Sequence, residues 1–289
     1  MADISEKIKK KSLKAKRKTA IKTIKAQSKE KIREVKIMYA YDSKKKETRL
    51  LQKEQKRALK EQKKNARIAY NERQPKQFSL AEDLFNSISH GIGAGLSAAA
   101  IVLLVLQAAL NTPAGHSRAL YVTCYAIFGS SLFILYMMST LNHALQGYTV
   151  RKVFSILTHD AIFLLIAGTY TPYMLIVLGG HDGWAWCIGI WIACAAFIAL
   201  YSVFHNSFRR TSVPVYLALG WIVLAAFSAS PLSMNINVVS KAFLAAGGVA
   251  YTVGSIFYLM KQYKWTHTIF HLFIMIGSVL HFFSIYYLI

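Results

Sequence analysis

Seven long apolar stretches constrain the fold of this chain more than any other feature of its sequence. They cover roughly residues 86–110, 119–142, 154–178, 184–206, 213–230, 239–260 and 268–289. A helix of about 20 apolar residues crosses a hydrocarbon core about 30 Å thick. None of the stretches has Lys or Arg at its centre. The sequence therefore predicts an all-α fold, a seven-transmembrane helix bundle.

The charged residues divide the chain into two parts. Residues 1–83 hold 27 of the 35 Lys and Arg residues and 11 of the 13 acidic residues. Residues 84–289 keep ten charged side chains, whereas about a quarter of the residues of a soluble domain are charged. We therefore predict a basic cytoplasmic N-terminal arm over residues 1–78 and a membrane domain over residues 79–289.

The basic residues between the apolar stretches predict how the chain lies in the membrane. Loops on one side hold the arm together with Arg151, Lys152, Arg209, Arg210, Lys261 and Lys264, and loops on the other side hold Arg118 and Lys241. Excess Lys and Arg stays on the cytoplasmic side of a membrane. The predicted N-terminus is therefore cytoplasmic, and the C-terminus, after seven spans, lies outside.

Three interpretations of the basic arm remain open. It could be a solvated tail that is partly helical or disordered, as blocks of like charge usually are. It could instead lie on the anionic inner leaflet, where each Lys or Arg adds about 1 kcal/mol of attraction. Specific nucleic-acid binding is disfavoured because the arm has neither interleaved aromatic residues nor a recognisable motif.

Two pairs of side chains at helical spacing point to a metal site. His267 and His271 are four residues apart, so they share one helix face about 6 Å apart. Ser139 and His143 have the same spacing at the inner end of the second stretch, at the same predicted depth. If these spans pack together, three histidines converge and leave a fourth position for water, as in catalytic zinc sites. The alternative is a set of unrelated histidines at the membrane interface.

Asp160 is the only carboxylate within a predicted span. An ionisable group at the centre of a span costs at least about 2.5 kcal/mol, so a functional role is the default hypothesis. Asp160 could orient a water as a general base, or it could support a metal ligand. Because it lies only eight residues beyond Lys152, it could also stay wet near the lipid headgroups.

Four motifs follow one another along the membrane domain. They are Ser87-Ile-Ser-His90-Gly-Ile-Gly93, Ser139-Thr-Leu-Asn-His143, the run from Phe163 to Pro172 with Ala-Gly-Thr-Tyr-Thr-Pro at its end, and His267-Thr-Ile-Phe-His271. In this order they resemble the motifs of the hemolysin III proteins, the bacterial branch of the progestin and adipoQ receptor family, which includes the adiponectin receptors. The resemblance covers residues 80–289 and leaves out the arm.

The resemblance implies a seven-helix protein of the bacterial inner membrane with a cytoplasmic N-terminus. It also implies a zinc ion near the cytoplasmic face, held by His143, His267 and His271. The activity that it suggests is ceramidase-like, the zinc-dependent hydrolysis of a lipid amide within the membrane. In that scheme Asp160 or Ser139 assists proton transfer.

One position departs from the family pattern. Thr158 stands where the family has an Asp that holds the zinc-bound water, and Asp160 lies two residues further on. Two residues turn a helix by about 200°, so Asp160 replaces that Asp only if the third span is locally irregular. Otherwise Thr158 or Ser139 would contact the water.

Two other functions compete with the hydrolase. One is a non-enzymatic membrane receptor or regulator of lipid homeostasis, in which zinc is structural. The other is cytolysis, which the family name suggests. Spans as apolar as these do not suit a secreted toxin that must first be soluble.

Overall fold

Helices form all the regular structure in the residues that the structure describes. This structure is a computed structural model that describes residues 2–39, 43–73, 78–208, 211–228, 236–260 and 263–289. The chain divides into two compact units, Met1–Arg73 and Gln74–Ile289. The predicted all-α class is confirmed, and its membrane-spanning part belongs to the second unit.

The first unit consists of two charged helices, α1 (Ala2–Met38) and α2 (Ser43–Arg73). An ion pair of 2.6 Å between Arg33 and Glu54 joins them. Their aliphatic side chains, such as Ile24 and Leu59, stay exposed. Both helices are therefore held by local backbone hydrogen bonds and by charge pairs rather than by burial of an apolar face.

The second unit contains the apolar helices. They are α3 (Leu80–Asn111), α4 (Arg118–Ala144), α5 (Tyr148–Pro172) with a π-helical extension (Tyr173–Leu178), α6 (Gly180–Phe208), α7 (Ser212–Ser228), α8 (Val238–Leu259) and α9 (Thr266–Tyr286). Six of them, all except α7, are long and apolar enough to cross a membrane. Helix α7 is apolar but shorter over its described residues. The chain is thus a multi-span membrane protein, and the count of seven spans stays a prediction.

Helix α3 begins six residues before the start that its apolar stretch predicted. Ser79 caps it: the Ser79 hydroxyl accepts a hydrogen bond from the Glu82 backbone N–H (3.2 Å), and the Glu82 carboxylate accepts one from the Ser79 N–H (2.9 Å). This reciprocal arrangement satisfies two backbone donors at the helix start. It also brings Glu82 and Asp83 into the first turn, so Asp160 is not the sole carboxylate in an apolar helix.

Glycines let helices α8 and α9 pack closely. A Cβ atom added at Gly277 would collide with the ring of Tyr251, and one at Gly247 would collide with the ring of His281. Within a membrane, small residues at a helix interface allow the backbones to approach and gain van der Waals contact. These contacts fix α9, which carries two of the predicted metal ligands, against α8.

Candidate metal centre

Three histidines from two helices meet at one end of the bundle. His143 lies in the last turn of α4, and His267 and His271 lie in the first two turns of α9. One nitrogen from each imidazole lies within 4.8 Å of the other two. The Nε2 atoms of His267 and His271 are 3.0 Å apart. The structure therefore brings together the three histidines that the sequence spacing singled out.

The donor atoms fit a metal ion. His143 is buried, and its Nε2 atom has no hydrogen-bond partner among the described residues. Leaving a buried nitrogen unsatisfied costs about 1–3 kcal/mol, which a bound cation would remove. Tetrahedral zinc with Zn–N distances of about 2.0–2.1 Å separates its ligand nitrogens by about 3.4 Å, close to the spacing of His267 and His271. Three imidazoles are thus able to hold a metal ion here.

The other nitrogen of His143 is held by a carboxylate. The Nδ1 atom of His143 lies 3.1 Å from Oδ1 of Asp83, and both side chains are almost fully buried. Arg151 donates from Nη2 to Oδ2 of the same carboxylate (2.5 Å) and from Nε to the backbone oxygen of Leu145 (3.1 Å). This chain of contacts ties the starts of α3 and α5 to the end of α4.

Two further rings enclose the histidine cluster. Phe78, just before α3, stacks on His267 with ring centroids 4.5 Å apart and lies 5.4 Å from the ring of His143. His90 of α3 packs on His271 with ring centroids 3.8 Å apart. His90 is buried, and neither of its ring nitrogens has a partner within the described part of the chain. The beginning of α3 therefore forms one wall of the site.

A cavity extends from the histidines into the bundle. All three of them line it, together with the polar side chains of Ser139, Asn142 and Thr158. The rest of its lining is largely apolar and mixes aliphatic side chains such as Leu135 and Ile274 with aromatic ones such as Tyr170, and it also includes the polar side chain of His281. Over the described residues, no Asp or Glu side chain lines this cavity. A largely apolar lining that contains the three histidines suits an apolar chain that carries a polar group.

Asp160 does not join the three histidines. Its Oδ2 atom accepts a hydrogen bond of 2.7 Å from the hydroxyl of Ser202 on α6. Helix α5 is regular from Tyr148 to Pro172, so the local irregularity that would turn Asp160 inward is missing from these described residues. Thr158 lines the cavity instead, and its hydroxyl donates to the backbone oxygen of Phe154 (2.8 Å).

Ser139 lies where its spacing predicted. It is buried one turn before His143 on α4 and lines the same cavity. A hydroxyl at this position can donate to, or accept from, a polar group held at the histidines.

Sequence reasoning missed Asp83, Arg151 and Phe78. Asp83 fell outside the apolar stretch that predicted the first span, and Arg151 served only as a topology signal. The Ser79-x-x-Glu82 pattern was the available clue, because a capping box marks a helix start and places Asp83 within the first turn. The partnership of Asp83 with His143 has no comparable local pattern.

Comparisons with known proteins identify relatives of this chain. A family model described as Haemolysin-III related matches residues 78–282. "Hemolysin-3" of Bacillus cereus is 39% identical over 206 residues, which cover 71% of this chain and 91% of that protein. "Hemolysin-3 homolog" of Bacillus subtilis is 35% identical over 208 residues, 72% of this chain and 94% of that protein. The human "Monocyte to macrophage differentiation factor" is 26% identical over 170 residues, 55% of this chain and 68% of that protein.

Proposed function

The chain belongs to the haemolysin III-related family, and we propose that it is a zinc-dependent lipid amide hydrolase of the bacterial inner membrane. His143, His267 and His271 hold the zinc ion in this proposal. The observation that carries it is the position of the cluster in the lining of a largely apolar cavity. This position would bring the amide of a lipid to the metal while its hydrocarbon chain fills the interior.

Each part of the site has a role in this chemistry. Zinc, when bound, supplies a Lewis acid for the amide carbonyl and makes a water nucleophilic near neutral pH. The Ser139 hydroxyl donates a hydrogen bond to the carbonyl oxygen as negative charge develops on it. Thr158 offers its lone pairs to the attacking water, because its proton is already given to Phe154. The largely apolar walls exclude bulk water and so strengthen these contacts.

We also propose the orientation that the loop charges indicate. The N-terminus and the histidine cluster face the cytoplasm, and the C-terminus lies outside, with α7 crossing as the fifth of seven spans. The basic arm then lies beside the anionic inner leaflet, which its Lys and Arg residues attract. A lipid of that leaflet is the nearest source of substrate for the cavity.

Metal analysis of the purified full-length protein tests the proposal. We expect stoichiometric zinc in the wild type, and its loss in His143→Ala and in His271→Ala. His181→Ala is the matched control, since this histidine is exposed on α6 away from the cluster and should leave the zinc in place. Release of fatty acid from an N-acylated long-chain lipid should follow zinc content. Wild-type protein without stoichiometric zinc would refute the proposal.

One observation favours a second function. Because no carboxylate among the described residues lines the cavity, the usual general base of a zinc hydrolase is missing from it. A receptor or regulator of lipid homeostasis with structural zinc needs no such base. Stoichiometric zinc without hydrolysis of N-acylated lipids, combined with saturable binding of a long-chain lipid, would support this alternative.

A further inference from the structure

The first turn of α3 contributes no metal ligand, yet its two carboxylates contact both helices that do. Asp83 contacts the imidazole of His143 at the end of α4. Glu82 accepts a hydrogen bond of 2.8 Å from the backbone N–H of Trp265, the residue immediately before α9. Glu82 and Asp83 are called the acidic pair below. The two members of this pair therefore hold separate parts of the histidine cluster.

The contact of Asp83 decides which nitrogen of His143 faces the other histidines. A carboxylate that accepts from Nδ1–H keeps the proton on that nitrogen, so Nε2 carries the free lone pair. Nε2 is the buried atom without a hydrogen-bond partner among the described residues. Asp83 thus holds the tautomer and the ring orientation that metal binding requires.

Arg151 keeps Asp83 in place for this task. Its guanidinium donates to Oδ2, the oxygen that His143 does not use, and its Nε is anchored on the backbone of Leu145. The two oxygens of Asp83 therefore have separate partners, and the buried carboxylate has a compensating charge. Rotation of the Asp83 side chain would break both contacts together.

Glu82 controls the start of α9 in a comparable way. Trp265 has a left-handed backbone (φ 66°), which is unfavourable for a residue with a side chain. Its N–H is fixed by Oε1 of Glu82, while Oε2 of the same carboxylate accepts from the backbone N–H and the hydroxyl of Ser79. The start of α9, two residues before His267, is thereby joined to the start of α3.

We propose that Glu82 and Asp83 are positioning residues of the metal site, with Asp83 orienting the ligand on α4 and Glu82 setting the position of the two ligands on α9. This inference rests on the proposed metal binding. It makes α3 the element that sets the separation of His143 from His267 and His271. Carboxylates that support a metal-binding histidine typically change metal affinity by about 10- to 100-fold.

Zinc affinity of full-length protein variants in detergent tests the role of Asp83. Asp83→Asn retains the shape of the side chain but turns an amide NH₂ toward either His143 or Arg151, both of which are donors there. We expect a zinc dissociation constant about 10- to 100-fold higher, measured by competition with a chromophoric chelator. The visible bands of the cobalt-substituted protein should also shift, because a rotated imidazole changes the ligand field.

Glu82→Gln provides the second variant. Glutamine has a single acceptor oxygen, so it can serve either Trp265 or Ser79 but not both. We expect about a tenfold weaker zinc affinity and a change in the cobalt spectrum, with the proton arrangement of His143 unaltered. If Asp83→Asn fails to fold, the zinc affinity of Glu82→Gln still tests whether the acidic pair positions the metal ligands.

Asp182→Asn is the matched control, because Asp182 is an exposed carboxylate in the first turn of α6. It should leave the zinc affinity and the cobalt spectrum unchanged. If the acidic pair had only a structural role, its variants would melt at lower temperature with chelator present, yet bind zinc and cobalt as the wild type does. That result would overturn the inference while leaving the proposed function intact. Failure of the wild type to bind either metal would overturn both.

Discussion

Substitution of Ser139 tests the proposed hydrolysis separately from metal binding. It lines the cavity one turn from His143 and is not among the three converging nitrogen ligands. We expect Ser139→Ala to keep its zinc and to hydrolyse an N-acylated lipid about 10²- to 10³-fold more slowly, as when one oxyanion donor is lost. Turnover and zinc content measured on the same preparation check this.

Ser89→Ala is the appropriate comparison for that variant. Ser89 is also buried, but its hydroxyl donates to the backbone oxygen of Asn86, and it does not line the cavity. It should leave both zinc and turnover unchanged. Loss of zinc from Ser139→Ala alone would show that the serine supports the metal rather than the reaction.

Asp160→Asn gives the opposite expectation. An amide oxygen can still accept the hydrogen bond from Ser202, and the side chain does not line the cavity. Zinc content and turnover should both stay within about twofold of the wild type, as for substitutions away from the reacting groups. A rate loss of tenfold or more with full zinc content would instead make Asp160 the general base.

At the scale of residues, the sequence predicted the clustering of the three histidines better than the contacts of each one. His267 with His271, and Ser139 with His143, are local i, i+4 pairs whose geometry follows from helix periodicity alone. The pairing of Asp83 with His143 joins residues of different helices, so no local spacing indicates it. The departure at Thr158 could be read from the sequence. The sequence could not show which of the two side chains faces the cavity, because that depends on whether α5 is regular. In the structure α5 is regular, so Thr158 lines the cavity and Asp160 contacts Ser202.

The closely packed pair α8 and α9 is the element on which the position of the cluster depends. A valine at Gly277 would place methyl groups in the ring of Tyr251 and push the two helices apart. We expect Gly277→Val to lower the free energy of unfolding by about 1–3 kcal/mol, the usual cost of overpacking. Thermal unfolding of the zinc-loaded protein in detergent measures it.

Gly95→Val is the control for this helix substitution. Gly95 also lies within a helix, α3, but a Cβ atom there meets nothing within 4 Å. Both variants replace a helical glycine with the same residue, so only the contact with Tyr251 distinguishes them. Equal melting temperatures for the two variants would contradict the packing argument.

At the scale of elements, apolar stretches of bilayer length predicted where the helices of the membrane domain lie. Hydropathy located their centres but not their ends, because the ends are set by polar contacts. Helix α3 starts early because Ser79 and Glu82 cap it. Helix α5 changes to a π-helical turn at Pro172, which lacks the N–H that a continuing α-helix needs.

For the whole molecule, the distribution of basic residues predicts the topology. Reporter fusions test the topology in cells. A fluorescent protein fused to the N-terminus should be bright, because it stays in the cytoplasm. Alkaline phosphatase fused after Ile289 should be active, because this enzyme works only outside the cytoplasm and the C-terminus is predicted to lie there. A phosphatase inserted at His181 should also be active, because the start of α6 is predicted to lie outside. Active phosphatase at the N-terminus would show that the orientation is opposite to the predicted one and that the histidine cluster faces outside.

The arrangement of the ligands also imposes an order on biosynthesis. His143 is on the second apolar helix of the body, whereas His267 and His271 are on the last. A nascent chain in the translocon thus has one ligand until α9 has been synthesised and inserted. In the proposed zinc protein, metal capture is therefore a late maturation event, and products truncated before α9 lack two of the three histidines.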